Sequence, residues 1–339
     1  MRDLLITLVV IIGCFYTLKK PYVGVLLWSW LSYMNPHRLA YGFAYDMPFA
    51  QIAALTLFVA MIISSYEKQF PVRNIIVVWV LFIIWMGITT LNAYFPEDAL
   101  EYYIRIVKIQ LIVFITMVLI TDMKKLRHLI WVIVLSIGYF SVKGGVFTVL
   151  TAGSHRVFGP SYSFISDNNH LAIAVLMTIP LMVYLRQTTD KHWLKHVLSF
   201  FIISSLFTVI GSQSRGAFLA IIIVGFFYWI KSDRKIMISI FLFIIGGSIL
   251  SFMPESWYMR MNTIENYDED SSAMGRINAW EYAFNAANDQ FFGVGLNSWS
   301  LETFLLYAPN PTDVHAAHSI YFSVLADHGW LGLFLFLLI

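Results

Sequence analysis

The stretch "NIIVVWVLFIIWMGITTLNAY", residues 74–94, contains no charged side chain. A hydrocarbon core about 30 Å thick is crossed by about 20 consecutive apolar residues in a helix. This stretch therefore predicts a transmembrane helix. Similar runs recur along the chain of 339 residues, which is 59% hydrophobic and only 12% charged, whereas soluble domains carry about 25% charged residues. The sequence predicts an all-α, polytopic helical membrane protein.

The apolar runs give ten complete segments and one partial segment. Their approximate ranges are 4–18, 21–34, 48–65, 74–94, 105–121, 127–150, 169–186, 196–212, 215–231 and 234–253. A polar stretch follows, and then "WLGLFLFLLI", which is too short to span a bilayer. We expect about 10–12 transmembrane helices: a bundle over 1–253, a long loop with amphipathic helices over 254–328, and the start of a further span over 329–339 in a truncated chain.

Basic residues fall in alternate connections between these segments. They are Lys19 and Lys20; Lys68 and Arg73; Lys124, Lys125 and Arg127; Arg186, Lys191 and Lys195; and Lys231, Arg234 and Lys235. Cytoplasmic loops carry the excess of Lys and Arg, so the remaining loops, including 254–328, are predicted to face outward. The net charge of +2 is too small to indicate nucleic-acid binding. Cys14 is the single cysteine, which excludes an intramolecular disulfide.

Six cations lie on the predicted outer side, where the charge rule does not expect them. They are Arg105, Lys108, Lys143, Arg156, Arg215 and Arg276. Each alone could extend to the membrane interface with its apolar stem buried. Ionisable groups within spans are costly and usually functional, so their number favours an electropositive pocket in the outer leaflet. Arginine binds phosphate oxygens in a bidentate manner and lysine as a point charge. A lipid-linked diphosphate fits such a pocket best.

The outer loop carries two further features. "SSAMGRINAWEYAFNAANDQ", residues 271–290, predicts an amphipathic helix with Ile277, Trp280, Ala283, Phe284 and Ala287 along one face. "FFGVGLNSW" then supplies a glycine-rich turn that is too short and wrongly placed for a dinucleotide-binding motif.

A histidine cluster, "HAAHSIYFSVLADHG", precedes the last apolar run. His315 and His318 share a helix face, as metal ligands do, but Asp313 is only a loose third ligand, and we predict no metal site. His318 could also cap or pack at a helix start. An imidazole can instead accept a proton from a sugar hydroxyl at neutral pH, and we favour this role. Asp327 and His328 are predicted to mark the membrane interface, with the final span starting at Gly329.

No serine elbow, P-loop or metalloprotease motif occurs, so a covalent nucleophile has no candidate. The simplest chemistry is direct displacement at a sugar carbon whose leaving group is already a diphosphate. Cations would stabilise that leaving group, and a base would activate the acceptor.

Three motifs, in this order, resemble the O-antigen ligase and polymerase superfamily: "SRGAF", "GRINAWEYA" with "FFGVGLNSW", and "HAAHSIYFSVLADHGWLGLF". The resemblance covers about residues 155–339. It implies a GT-C-like glycosyltransferase of the bacterial inner membrane that needs no metal or other cofactor. Such an enzyme takes glycan from undecaprenyl diphosphate on the periplasmic face. "MNPHRLAYGFA" resembles a subfamily of O-glycosylation ligases that accompanies exosortase systems.

The resemblance also implies residue roles. The family's arginines fall on Arg215 and Arg276, where they would hold the diphosphate, and its histidine falls on His318, as base or acceptor contact. Many members have Asn after this histidine, whereas Ser319 stands here. The substrate-binding set is predicted to comprise Arg105, Lys108, Lys143, Arg156, Asn169 and His315.

Three functions remain open from the sequence. The first is a ligase that transfers oligosaccharide to a lipid A-core sugar or a protein hydroxyl. The second is a polymerase whose acceptor is another lipid-linked glycan. The third is a transporter or flippase, which the clean spans disfavour, because transporters tend to place polar groups near the bilayer midplane.

Overall fold

The computed structural model describes residues 1–71, 73–233, 235–252, 255, 258 and 271–339. Over these residues the chain is helical, with 76% of it in helix and no strand. Helices satisfy all their backbone hydrogen bonds internally, which a hydrocarbon environment requires. The predicted class is confirmed: the chain is a polytopic helical membrane protein.

The helices follow the apolar runs of the sequence. They are α1 (Arg2–Lys19), α2 (Pro21–Met34), α3 (Phe49–Ile63), α4 (Asn74–Leu91), α5 (Pro96–Leu119), α6 (Met123–Leu150), α7 (Asn168–Thr188), α8 (His192–Gly211), α9 (Arg215–Lys231), α10 (Lys235–Phe252), α11 (Ser271–Asp289), α12 (Leu301–Tyr307) and α13 (Ile320–Leu337), with short 3₁₀ helices at Pro36–Leu39 and Phe43–Asp46. Residues 234 and 253, the predicted ends of the tenth segment, lie outside the described residues.

Among the described residues, six helices are long and apolar enough to cross a membrane: α4, α5, α6, α7, α8 and α13. The shorter α3 is apolar as well. The larger number of about 10–12 spans stays a prediction.

Two helices begin nine residues earlier than the sequence predicted. Helix α5 begins at Pro96 instead of 105, because Pro at the first position with Glu97 and Asp98 in the first turn favours a helix start. Helix α13 begins at Ile320 instead of Gly329. Gly329 is a kink inside this helix, with φ +65°. The polar residues that seemed to exclude a helix there are paired inside the protein, as described below.

The chain forms two compact units: Met1–Glu67 with Ile120–Ile264, and Lys68–Leu119 with Glu265–Ile339. We call them the first and the second unit. The first contains α1 to α3 and α6 to α10. The second contains α4, α5 and α11 to α13.

In the first unit, small residues let α6 and α8 approach closely. A Cβ atom added to Gly145 would lie 2.4 Å from the carbonyl oxygen of Ser204. The hydroxyl of Thr208 on α8 donates to the carbonyl of Ser141 on α6. Small residues and interhelical hydrogen bonds are the usual basis of helix packing within membranes.

We predict that Gly145→Ala lowers the free energy of unfolding by about 1–3 kcal/mol, because the added methyl must push the α8 backbone away. Gly246→Ala is the matched control, since a Cβ atom there meets nothing within 4 Å. The midpoint of thermal unfolding in detergent should fall for the first variant and not for the second. Equal midpoints would contradict close packing at Gly145.

Candidate functional site

The second unit places the loop arginine beside the histidine loop, which we define as residues 310–318. Gly275 and Arg276 lie in the second turn of α11, and the ring of His315 lies against Gly275. Arg276 is half-buried. This contact is within one unit and joins two of the predicted motifs.

Two side chains of α11 attach the histidine loop to the helix. The buried amide of Asn278 donates to the carbonyls of Asn310 (2.8 Å) and Asp313 (2.9 Å). Its oxygen accepts from the backbone N–H of Asn310 at 2.8 Å. The indole of Trp280 donates to the carbonyl of Ala317 at 2.8 Å. Buried backbone groups outside helices need such partners, so these bonds fix the path of the loop.

The two histidines of this loop have different surroundings. His315 Nδ1 lies 2.7 Å from Asp313 Oδ1, an ion-pair distance, although the contact lacks hydrogen-bond geometry. His318 is exposed and has a left-handed backbone, with φ +48°. Non-glycine residues with positive φ are uncommon, and strained backbone concentrates at functional sites. The loop therefore presents His318 at the surface, while His315 packs against α11.

The guanidinium of Arg276 carries an unsatisfied donor. Its Nε is buried and has no hydrogen-bond partner within the described part of the chain. A buried polar group of this kind is rare in native proteins, and a role in binding is one explanation for it. An anionic oxygen is the natural acceptor for such a guanidinium.

The glycine-rich turn supports the kinked helix α13. Gly329 breaks the helix. The carbonyls of the preceding residues therefore lack the N–H groups, four residues further along the chain, that they would bind in a regular helix. The backbone N–H groups of Val294 and Gly295 donate to Ala326 (2.8 Å) and Asp327 (3.1 Å) instead. The indole of Trp85 donates to the carbonyl of His328 at 2.9 Å. The turn is thus a structural partner of α13.

Within the second unit His328 is buried and Asp327 is half-buried, which corrects their prediction as interface markers. His328 is 2% exposed. Its Nδ1 lies 2.7 Å from the hydroxyl of Thr89. Asp327 accepts from the indole of Trp299 at 3.2 Å. Polar side chains of this helix are tolerated because each has a partner.

The amphipathic helix is present as predicted, but its buried face differs. Ala279, Tyr282, Ala283, Ala286 and Ala287 are buried, whereas Phe284 is 49% exposed. The Tyr282 ring stacks on Phe304 at 4.3 Å between centroids. Burial raises the pKa of Tyr282 to about 12, so this residue stays protonated. The alanines determine which face of α11 is buried, because their small side chains allow other elements to pack closely. A count of large apolar residues does not detect this effect.

In the first unit, Arg215 begins α9 directly after a buried turn, Ser212 to Ser214. The amide of Asn168 donates to the carbonyl of Ser212 at 2.8 Å, and that of Gln213 donates to Gly153 at 3.0 Å. Ser214 caps α9 by accepting from the N–H of Ala217 at 3.2 Å. Hydrogen bonds therefore hold the turn that precedes the half-buried Arg215.

The other predicted substrate-binding residues lie apart from these two arrangements. In the first unit, Lys143 is exposed two turns before the end of α6, as predicted, Arg156 is exposed in the loop after it, and Asn169 is half-buried at the start of α7. In the second unit, Arg105 and Lys108 are exposed on α5. Arg105 pairs with Glu101 at 3.1 Å.

Residues 1–190 match a family of unknown function, DUF5935, and residues 198–337 match the O-antigen ligase family. The chain belongs to DUF5935 and to the O-antigen ligase-like superfamily. No curated protein and no solved structure matches it. Membership supports glycan transfer of the ligase or polymerase type by an O-antigen ligase-like enzyme. It also implies a lipid-linked glycan donor in a bilayer. The exosortase-associated subfamily stays a prediction.

Reasoning from the sequence of this O-antigen ligase-like protein did not identify the hydrogen-bonding roles of four residues. They are Asn168, Asn278, Trp280 and Thr89. Asn168 stands next to the predicted Asn169, and Asn278 and Trp280 lie within the motif around Arg276. Their partners are backbone carbonyls or a residue more than 200 positions away, so no local pattern identifies them.

We predict that Asn278→Ala loosens the histidine loop, because two carbonyls and one N–H group lose their partners at about 1–3 kcal/mol for each unsatisfied group. Amide hydrogen exchange over residues 310–318 should become faster. Asn285→Ala is the matched control, since this exposed residue of the same helix makes one bond, to the carbonyl of Tyr307. Unchanged exchange in Asn278→Ala would show that other contacts hold the loop.

Proposed function

We propose that this protein is a periplasmic-face glycosyltransferase of the bacterial inner membrane. It moves an oligosaccharide from undecaprenyl diphosphate to an acceptor hydroxyl, on a lipid A-core sugar or a protein. The observation that carries this proposal is the buried, unpaired Nε of Arg276 next to the histidine loop. Arg276 is the anion-binding donor and His318 of the histidine loop is the candidate base, and both lie in the second unit.

The proposed reaction is a direct displacement that needs no metal. The acceptor oxygen bonds to the anomeric carbon, and the bond from that carbon to the diphosphate oxygen breaks. The electron pair leaves with the diphosphate, whose charge Arg276 stabilises. His318 accepts the hydroxyl proton as general base. The chain then needs no covalent nucleophile.

The surroundings of His318 and Arg276 support these roles. A base must be accessible to the acceptor, and His318 is exposed. The arginine must be held in place before charge develops, and α11 carries Arg276 on the same helix as the side chains that fix the histidine loop. Donors fixed in advance stabilise a transition state without reorganisation.

We predict that Arg276→Ala lowers glycan transfer by about 100-fold or more, the usual cost of removing a donor that stabilises transition-state charge. Arg276→Lys should recover part of the rate, because lysine keeps the charge but not the bidentate geometry. Transfer is measured with the full chain in nanodiscs and undecaprenyl-diphosphate-linked glycan as donor. The control is Arg127→Ala. Arg127 is exposed and lies in a basic connection that is predicted to be cytoplasmic. Normal transfer by Arg276→Ala would contradict the proposal.

For His318→Gln we predict a loss of about 100- to 10,000-fold in transfer, as expected for a general base. In the unchanged protein kcat should rise with pH as an imidazole loses its proton, and the residual activity of the variant should lack this limb. His192→Gln, an exposed histidine of the first unit, should behave like the unchanged protein. A variant that retains the pH limb would assign it to another group.

The acceptor distinguishes ligase from polymerase. With lipid A-core or a protein as acceptor, the ligase yields a single transferred glycan on that acceptor. A ladder of products formed on the lipid-linked donor alone would favour the polymerase instead.

A further inference from the structure

The first unit contains a cavity of about 510 Å³ whose lining includes one predicted substrate-binding residue, Lys143. It is lined by residues of α2, α6 and α8, namely Trp30, Met34, Val132, Leu135, Ser136, Tyr139, Val142, Lys143 and Phe201. Apart from Phe201, these residues lie within the DUF5935 match. The lining is apolar except for a single cation, Lys143, and a few hydroxyl and indole groups.

The cavity lies along the middle of α6. Val132 to Val142 line its wall, and Lys143 follows at one end. Eleven residues of helix from Val132 to Lys143 rise by roughly 16 Å at 1.5 Å each. Helix α6 continues from Lys143 to Leu150, a further rise of about 10 Å. By the charge rule, the end with Lys143 faces outward, so Lys143 lies at the outer end of the cavity.

Two polar groups of the lining lack partners. Lys143 is exposed and forms no ion pair within the described residues. The hydroxyl of Ser136, two turns deeper on the same face of α6, is buried and has no hydrogen-bond partner there. The apolar side chains of the lining provide neither a hydrogen bond nor a counter-charge for these two groups. A ligand with an anionic head group would neutralise the lysine.

We propose that this cavity binds one acyl chain of an anionic phospholipid from the outer leaflet, with its phosphodiester at Lys143. One cation matches the single negative charge of a phosphodiester. A diphosphate carries more charge and would need further cations, which the cavity lining does not contain. The proposal assigns a lipid-binding role to the DUF5935 region and gives Lys143 a phospholipid as its ligand in place of the donor diphosphate predicted from the sequence. It does not depend on glycan transfer by Arg276 and His318.

The test is native mass spectrometry of the full chain, purified in detergent and titrated with dioleoyl phosphatidylglycerol. Lys143→Ala should weaken its binding about fivefold, the factor that a basic residue near a membrane surface contributes. Lys191→Ala, an exposed lysine at the start of α8, is the control for charge. Equal binding by the Lys143→Ala variant and the unchanged protein would overturn the proposal.

A second pair of variants tests the cavity itself. Val142→Phe fills the space and should abolish the tightest bound phosphatidylglycerol. Val146→Phe adds the same ring one turn further, at an exposed position outside the lining, and should not. Thermal unfolding of both variants without lipid checks that each is folded.

A competition with undecaprenyl phosphate identifies the occupant. If phosphatidylglycerol stays bound in the presence of equimolar undecaprenyl phosphate, the phospholipid assignment stands. If undecaprenyl phosphate displaces it, and undecaprenyl phosphate binds the unchanged protein but not the Val142→Phe variant, the cavity belongs to a polyprenyl lipid and the assignment is wrong. Glycan transfer is not part of either measurement, so a failed proposal here leaves the proposed function untouched.

Discussion

The pairing of backbone polar groups is the constraint on which this membrane protein depends. In hydrocarbon, an unpaired carbonyl or N–H group costs several kcal/mol, so a break in a helix survives only where other groups take over. Helix α13 breaks at Gly329, and the carbonyls before the break bind Val294, Gly295 and the indole of Trp85. The glycine-rich turn and α4 are therefore required partners of the last helix.

The same constraint explains how the candidate site is built. The histidine loop has no helical hydrogen bonds of its own over residues 313–318, and Asn278 and Trp280 supply partners for its carbonyls. In the first unit, Asn168 does this for the turn before Arg215. Each arginine or histidine with a proposed chemical role thus lies next to a segment that amide or indole side chains hold in place. Fixed donors of this kind suit an enzyme that works by positioning and charge stabilisation.

The two family matches do not coincide with the two compact units. Helices α4 and α5 fall within the DUF5935 match, yet they belong to the second unit together with α11 to α13. Thr89 and Trp85 of α4 bind His328 in the O-antigen ligase match. The DUF5935 region therefore contributes directly to the packing around the last helix. A deletion of residues 68–119 would remove part of this packing.

The sequence by itself determined the helical membrane class, the approximate segments and the candidate arginines and histidine, because hydrophobic length and motif residues are local properties. It placed Lys143 two turns inside α6 and predicted α11 within one residue of its end. Only the tertiary structure decided the start of α13, the buried face of α11 and the partners of Asp327 and His328. These depend on contacts between residues far apart in the chain. Thr89 and His328 are 239 positions apart. In the local sequence a polar residue such as His328 predicts the membrane interface, but in the folded chain His328 is buried because Thr89 is its hydrogen-bond partner.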